Sequence, residues 1–355
     1  MERYLSRKID HISLLGMIMV VYLHSYNLLI DFTNISHYPN SSTINFNSFM
    51  QNFISQGLTR VAVPIFFSIS GYLFFVRINP SFLGFTKKII RRFKTLMVPY
   101  FLWSVWGIVL IAVLQVFPTS RGYISMPLIV ESENIVVLRM LFLDPIPYQL
   151  WFLLDLMILV MISPLLFVIT KKLRAFVLLF PVIMWVMDYN PKIFSSEALL
   201  FFALGCYLAI AKTEFAKKSK TVSISLLCVW IAINALLACE LFPEPIFHHT
   251  LYKGNILLGM CAIWHIYDHI SEDIKNSTIL RKLKSYSFFI YLSHEPVLTI
   301  FKKGLPIFLV GSPPFRLLVT YLIAPIIVIF LAVLVGSFLI RYSPRFYTII
   351  TGGRK

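Results

Sequence analysis

The sequence predicts an all-α fold, a polytopic membrane helix bundle of about ten transmembrane helices with both termini cytoplasmic. Three observations carry this reading. Hydrophobic residues make up 58% of the 355 and charged residues only 14%, with a mean hydropathy of +0.79, whereas soluble domains carry about 25% charge. Apolar runs of the roughly 20 residues that a bilayer demands recur along the chain. Lysine and arginine divide unevenly between alternate connecting pieces: 24 of the 32 fall on one side and 7 on the other, with Arg60 inside a run. That asymmetry marks the richer side, and with it both ends of the chain, as cytoplasmic.

The spans are read at roughly 12–31, 53–76, 95–117, 149–170, 175–189, 194–211, 221–242, 251–268, 286–304 and 317–340. The first follows the basic Arg3, Arg7 and Lys8, and no short apolar segment with a small-residue cleavage site suggests a removable signal peptide. The second follows an Asn- and Ser-rich loop with sequons at Asn34 and Asn40. The third follows the cluster Lys87, Lys88, Arg91, Arg92 and Lys94, and Pro99 is expected to break its helix early. The fourth follows the long loop 118–148. The short fifth, between "KKLRA" and "DYNPK", reads as a tilted or partial span. Basic pieces at 212–220, 275–284 and 341–355 bracket the remaining five. Residues 1–355 are expected to form a single integral-membrane domain without an appended soluble one, which would put any chemistry within the bundle or at its faces.

The net charge of +16 is accounted for mainly by topology. Its dispersal over six pieces argues against a nucleic-acid partner. Cys206, Cys228, Cys239 and Cys261 have no CxxC spacing and read as packing residues in membrane segments.

Five ionisable residues are out of place by depth: His24, Arg60, Asp155, His294 and Glu295. At about 1.5 Å per residue they lie some 10–20 Å into their spans. Single residues of this kind have plain readings: a lone histidine often packs with one hydrogen bond, and Arg60 with Asp155 reads as a structural ion pair. Five in a chain with so little charge favour one shared polar cavity. His265 and His269, at i and i+4 around Asp268, have metal-ligand spacing, but they sit at a cytoplasmic helix end where polar residues are ordinary, and no metal is expected. The cluster Arg91, Arg92 and Lys94 reads equally as an anchor on anionic membrane lipid or as a phosphate-binding rim.

Six stretches in order resemble the acyltransferase-3 family of bacterial integral-membrane O-acyltransferases: "IDHISLLGMIMVVYLHS", "RVAVPIFFSISGYLFF", "RRFKTLMVPYFLW", "LWFLLDLMILVMISPLL", "FFALGCYLA" and "SYSFFIYLSHEPV". The likeness spans the first nine segments. It implies an acyl-coenzyme A-dependent enzyme of the bacterial inner (cytoplasmic) membrane. Such an enzyme moves an acyl group, usually acetyl from acetyl-CoA as co-substrate, to a sugar hydroxyl of a surface glycan or its lipid-linked precursor. His24 matches the family's first-span histidine, held to be catalytic. Asp10 matches the acidic residue before that span, Arg91, Arg92 and Lys94 the basic cluster associated with the donor, Arg60 a basic position before the Val-Pro run, and Ser70 the serine of Ser-Gly-Tyr. Where the family commonly carries an arginine eleven residues before the histidine, this chain has Ser13; Arg7, Lys8 and the 91–94 cluster are candidates for its role.

His24 is thus expected to act as base toward the hydroxyl or as carrier of the acyl group, with His294 a second proton-handling or binding group. Asp155 and Glu295 are expected to bind substrate or shape the site. Two other classes fit the same residues: a transporter of glycans or small anions, and a non-catalytic sensory domain.

Overall fold

The computed structural model describes residues 3–28, 45–122, 124, 126–213, 215–242 and 244–353. Among these the regular structure is all helical. The sequons at Asn34 and Asn40 lie outside the described residues. In chain order the principal helices are α1 (Arg3–His24), α2 (Phe46–Phe75), α3 (Phe82–Val116), α4 (Asn134–Phe142), α5 (Trp151–Met161), α6 (Ser163–Leu173), α7 (Leu179–Val186), α8 (Ser196–Ile210), α9 (Lys220–Ala238), α10 (Pro245–Ile266), α11 (Thr278–Ser293), α12 (Val297–Phe308), α13 (Pro313–Tyr342) and α14 (Pro344–Ile350).

By length and composition α2, α3, α9 and α13 are able to cross a membrane. The stretch Tyr148–Met161 with Ser163–Val186, bent by 64°, makes a fifth if it counts as one span. The other apolar stretches are helical but shorter, interrupted or less apolar.

Helix ends follow local chemistry more than hydropathy. The first apolar run continues to Leu29, yet α1 stops at His24. Just beyond, Asn27 and Gln51, both fully buried, exchange bonds: Asn27 N–H donates to Gln51 Oε1 at 3.0 Å and Gln51 Nε2 to Asn27 Oδ1 at 2.8 Å. The amide clasp satisfies the Asn27 N–H, which the ended helix no longer pairs with a carbonyl four residues back, and matches two buried side-chain amides to each other. His24 therefore stands at a helix end and not in the middle of a span.

Prolines break two runs and spare a third. Pro164 cannot supply an N–H to the carbonyl of Val160; the Ser163 hydroxyl donates to that oxygen instead, at 2.7 Å, and the chain bends there. Pro296 likewise deprives Leu292 of its helical partner; Gln149 Nε2 donates to that carbonyl at 3.1 Å, and the run expected at 286–304 splits into α11 and α12. Pro99, expected to break its helix, does not: α3 runs through it for 35 residues. The Thr95 carbonyl that Pro99 leaves without a donor is approached by Gly352, whose φ of +62° and missing side chain permit the contact, since a Cβ there would collide with that oxygen. Trp103 Nε1 adds a bond to the Ile350 carbonyl at 3.1 Å, fastening the end of α14 to α3.

The bundle centres on α1, α2 and α8. α1 packs against α2 and α11, while α2 crosses α8 at two glycines, Gly71 and Gly205. Around them α3 lies on α5, α9 pairs with α10, and α13 covers α11 and α12. The segment of α2 over Asn52–Gly57 is π-helical and Leu58–Val61 is 3₁₀. Such local unwinding is often found at functional sites.

Candidate active site

Because α1 ends at His24, its ring lies at the edge of a cavity and not within a packed helix face. The cavity, of about 360 Å³, is lined by His24, Gln56, Arg60, Tyr148, Gln149, Glu197 and Lys302, with Phe66, Trp151, Phe152 and Tyr291 among its apolar walls. The His24 ring centroid is 4.7 Å from that of Tyr148 and 5.3 Å, edge on, from that of His294.

His294 and Glu295, both fully buried, come from the break that Pro296 makes. His294 Nδ1 is 2.8 Å from the Tyr291 carbonyl. A carbonyl only accepts, so Nδ1 carries the proton and Nε2 is left as an acceptor, buried and without a partner among the described residues. Glu295 takes bonds from the Tyr148 hydroxyl at 3.1 Å and the Thr299 N–H at 3.2 Å. Lys302, 4.0 Å from the Glu295 carboxylate, donates to the His24 carbonyl at 2.6 Å. A cation on the last carbonyl of α1 meets the negative end of the helix dipole and fixes the residue that ends it.

Four of the five residues singled out by depth therefore gather here: His24, Arg60, His294 and Glu295. Asp155 does not join them, and the expected Arg60–Asp155 pair is absent. Asp155 instead accepts the Ser195 N–H and hydroxyl, each at 2.9 Å. It thereby anchors the residue whose own hydroxyl caps α8. Depth along a helix says nothing about which way a side chain faces, and that is where the pairing expectation failed. Arg60 donates to the Gln56 side-chain carbonyl, and the acidic group it faces is Glu197.

The other sequence candidates lie elsewhere. Asp10 pairs with Lys284 at 2.5 Å on a partly exposed face, about 20 Å along α1 from His24. Ser70, partly buried, adjoins the Gly71 crossing and does not line the cavity. Arg91 and Lys94 are exposed and Arg92 is partly buried on the first turns of α3; among the described residues none of the three is in an ion pair. Arg7 and Lys8, candidates for the role of the missing arginine, are committed. Arg7 pairs with Glu272 at 2.9 Å, and Lys8 with Asp268 at 2.6 Å, both groups of the second pair being buried. Asp268 also takes the Tyr4 hydroxyl, and His269 Nε2 lies 3.1 Å from the Lys218 carbonyl, so protein groups occupy two members of the "HIYDH" stretch.

The family profile described as an acyltransferase domain matches residues 7–342. The chain belongs to the acyltransferase-3 family. One curated protein similar to this acyltransferase is the succinoglycan biosynthesis protein ExoH of Rhizobium meliloti, 25% identical over 327 residues that cover 85% of this chain and 81% of ExoH. No solved structure matches it.

The cavity of this acyltransferase includes residues that sequence reasoning passed over. Tyr148 ends the stretch 118–148 read as loop and Gln149 opens the span read at 149–170, with no mark on either, and Glu197 is in the first turn of α8, where an acidic residue is ordinary. Lys302 was counted merely as flanking charge. Lys302→Met is expected to lower kcat about 10- to 100-fold with little change in either KM, because it releases the carbonyl of His24. It also orphans Glu295, so Lys302→Met with Glu295→Gln is expected to recover thermal stability but not rate. A change confined to KM would show that Lys302 binds substrate instead.

Proposed function

We propose that the chain is a membrane O-acyltransferase that moves an acyl group, acetyl in the simplest case, from acyl-coenzyme A to a hydroxyl of a polysaccharide or its lipid-linked precursor. The observation that carries this reading is the ring of His24 at a cavity edge, backed by the free Nε2 of His294. The similarity to a succinoglycan biosynthesis protein supports a polysaccharide product. The chain crosses the bacterial cytoplasmic membrane about ten times, with both termini inside and the cavity toward the outside.

His24 takes the proton of the acceptor hydroxyl, and the oxygen attacks the thioester carbonyl. The C–S bond breaks, the sulfur leaves with the proton returned by His24, and the ester remains on the sugar. His294 Nε2 accepts the other ring N–H of His24 as the imidazolium forms, in the way an orienting acceptor serves a catalytic histidine. Arg60, a cation on the cavity wall, stabilises the oxyanion of the tetrahedral intermediate.

With Arg7 and Lys8 engaged, the cluster Arg91, Arg92 and Lys94 is the donor's phosphate site at the cytoplasmic end. An apolar cavity of about 220 Å³ along Leu5, Ile9 and Ile12 of α1 offers room for the donor's uncharged arm. Thiol release from acetyl-CoA by purified protein with a glycan acceptor tests the reading. Arg91→Ala with Arg92→Ala is expected to raise the KM for acetyl-CoA about tenfold, the loss of one or two charge-assisted bonds, and to leave the KM for acceptor unchanged. A rise in acceptor KM alone would move the donor elsewhere.

A further inference from the structure

Next to the His24 cavity lies a larger one, of about 560 Å³, where α9 ends and α8 and α10 begin. Gln56, Arg60 and Glu197 line both and form the boundary between them. Its other walls mix amides, carboxylates, a phenol ring and two imidazoles: Asn52 and Asn234, Asp188 and Glu240, Tyr252, and His248 with His249. The π-helical turn of α2 contributes Asn52 and Gln56, and Gly57 lets it close on α9, since a Cβ at Gly57 would come within 2.6 Å of the Asn234 amide oxygen.

The charges in this chamber decide what it suits. Lys253 and His249 both engage Asp188, at 2.7 and 3.1 Å, and Arg60 is held by Gln56 and faces Glu197. Three carboxylates, Asp188, Glu197 and Glu240, stand against two fixed cations, Lys253 and Arg60, and two imidazoles, His248 and His249, so the chamber offers an anionic ligand no excess of fixed positive charge and confronts it with an exposed Glu240. Amide and carboxylate groups around an aromatic ring, in a polar space of this size, match a ligand that both donates and accepts hydrogen bonds and has an apolar face. We propose that the chamber is a saccharide-binding vestibule that seats an uncharged sugar ring of the acceptor, stacked on Tyr252, with one hydroxyl directed past Gln56, Arg60 and Glu197 toward His24. The assignment of this sugar as acceptor rests on the acyl-transfer reading; the binding of an uncharged sugar does not.

Saturation-transfer NMR on the full chain in detergent tests it, with glucose, galactose, mannose and N-acetylglucosamine as neutral probes and glucuronate as the anionic one. At least one neutral sugar is expected to bind, more tightly than glucuronate, and Tyr252→Ala is expected to raise its Kd at least tenfold. Where Tyr252→Ala fails to give monodisperse protein, Asn52→Ala is measured in its place, with an expected rise of several-fold. Binding of none of the four neutral sugars, tighter binding of glucuronate, or a Kd unmoved by the variant overturns the vestibule. The two readings fail separately. Neutral sugar binding by wild-type protein that releases no thiol from acetyl-CoA keeps the vestibule and removes the transferase, whereas thiol release without sugar binding does the reverse.

Discussion

His24→Ala is expected to cut acyl transfer by about 10²–10⁴-fold, the contribution of a positioned general base, while the protein remains folded in the membrane. A hydroxyl is a poor nucleophile at neutral pH, and His24 is the imidazole that lines the cavity, His294 being fully buried beside it. The loss should fall on kcat, because the His24 ring has no hydrogen bond among the described residues on which substrate-free structure would depend. His294→Leu is expected to be milder, since it removes an orienting acceptor and leaves the base. His269→Ala, beyond the end of α10 far from the vestibule and with its ring nitrogen on the Lys218 carbonyl, should change little. Retention of near wild-type thiol release by His24→Ala would remove the histidine from the chemistry. The same variant separates two routes. With acyl-labelled donor and no acceptor, label remaining on wild-type protein but not on His24→Ala would show that the acyl group passes to the ring nitrogen as coenzyme A thiol leaves. Label absent from both would show direct attack.

Composition and charge asymmetry were enough to expect an all-helical bundle of apolar segments, because those are bulk properties that need no tertiary detail. The cavity was partly legible for the same reason: His24, Arg60, His294 and Glu295 were conspicuous as ionisable groups in runs that should lack them. What the residues did not disclose was set by pairing in three dimensions. The end of α1 at His24 depends on Gln51, a residue from the next helix, and the survival of α3 through Pro99 depends on Gly352, far away in the chain. Pro296 was a visible break beside His294 and Glu295, and it could have been read as the device that turns them out of a helix. Lys302 carried no such mark, since its role is defined by the carbonyl it meets.

The largest effect on folding is expected where α2 crosses α8. In the sequence, Gly71 and Gly205 stand out only as small residues in apolar helices. In the structure each faces the other helix's backbone: a Cβ at Gly71 would collide with the Phe202 carbonyl, and one at Gly205 with the Ser68 carbonyl and the Tyr72 N–H. A flexible side chain could swing aside, but main-chain atoms inside two helices cannot, so the helices themselves must part. Small residues at such crossings let membrane helices approach closely, and their packing holds the bundle together where no water drives association. Overpacking typically costs about 1–3 kcal/mol and occasionally more, and here it also pulls apart the helix carrying Arg60 and the one carrying Glu197. Gly205→Ala is therefore expected to lower the thermal midpoint in detergent by several degrees, and Gly205→Leu to abolish recovery of folded protein. Gly254→Ala and Gly304→Ala are the controls, because nothing stands within 4 Å of a Cβ at either site. Both should be neutral or slightly stabilising, since alanine favours a helix over glycine by about 1 kcal/mol. Gly71→Ala with Gly205→Ala should cost less than the two changes added, because one separation of the helices relieves both collisions. A Gly205→Ala protein as stable as the Gly254→Ala control would mean that α2 and α8 do not meet at these glycines, and the shared wall of Arg60 and Glu197 would lose its support.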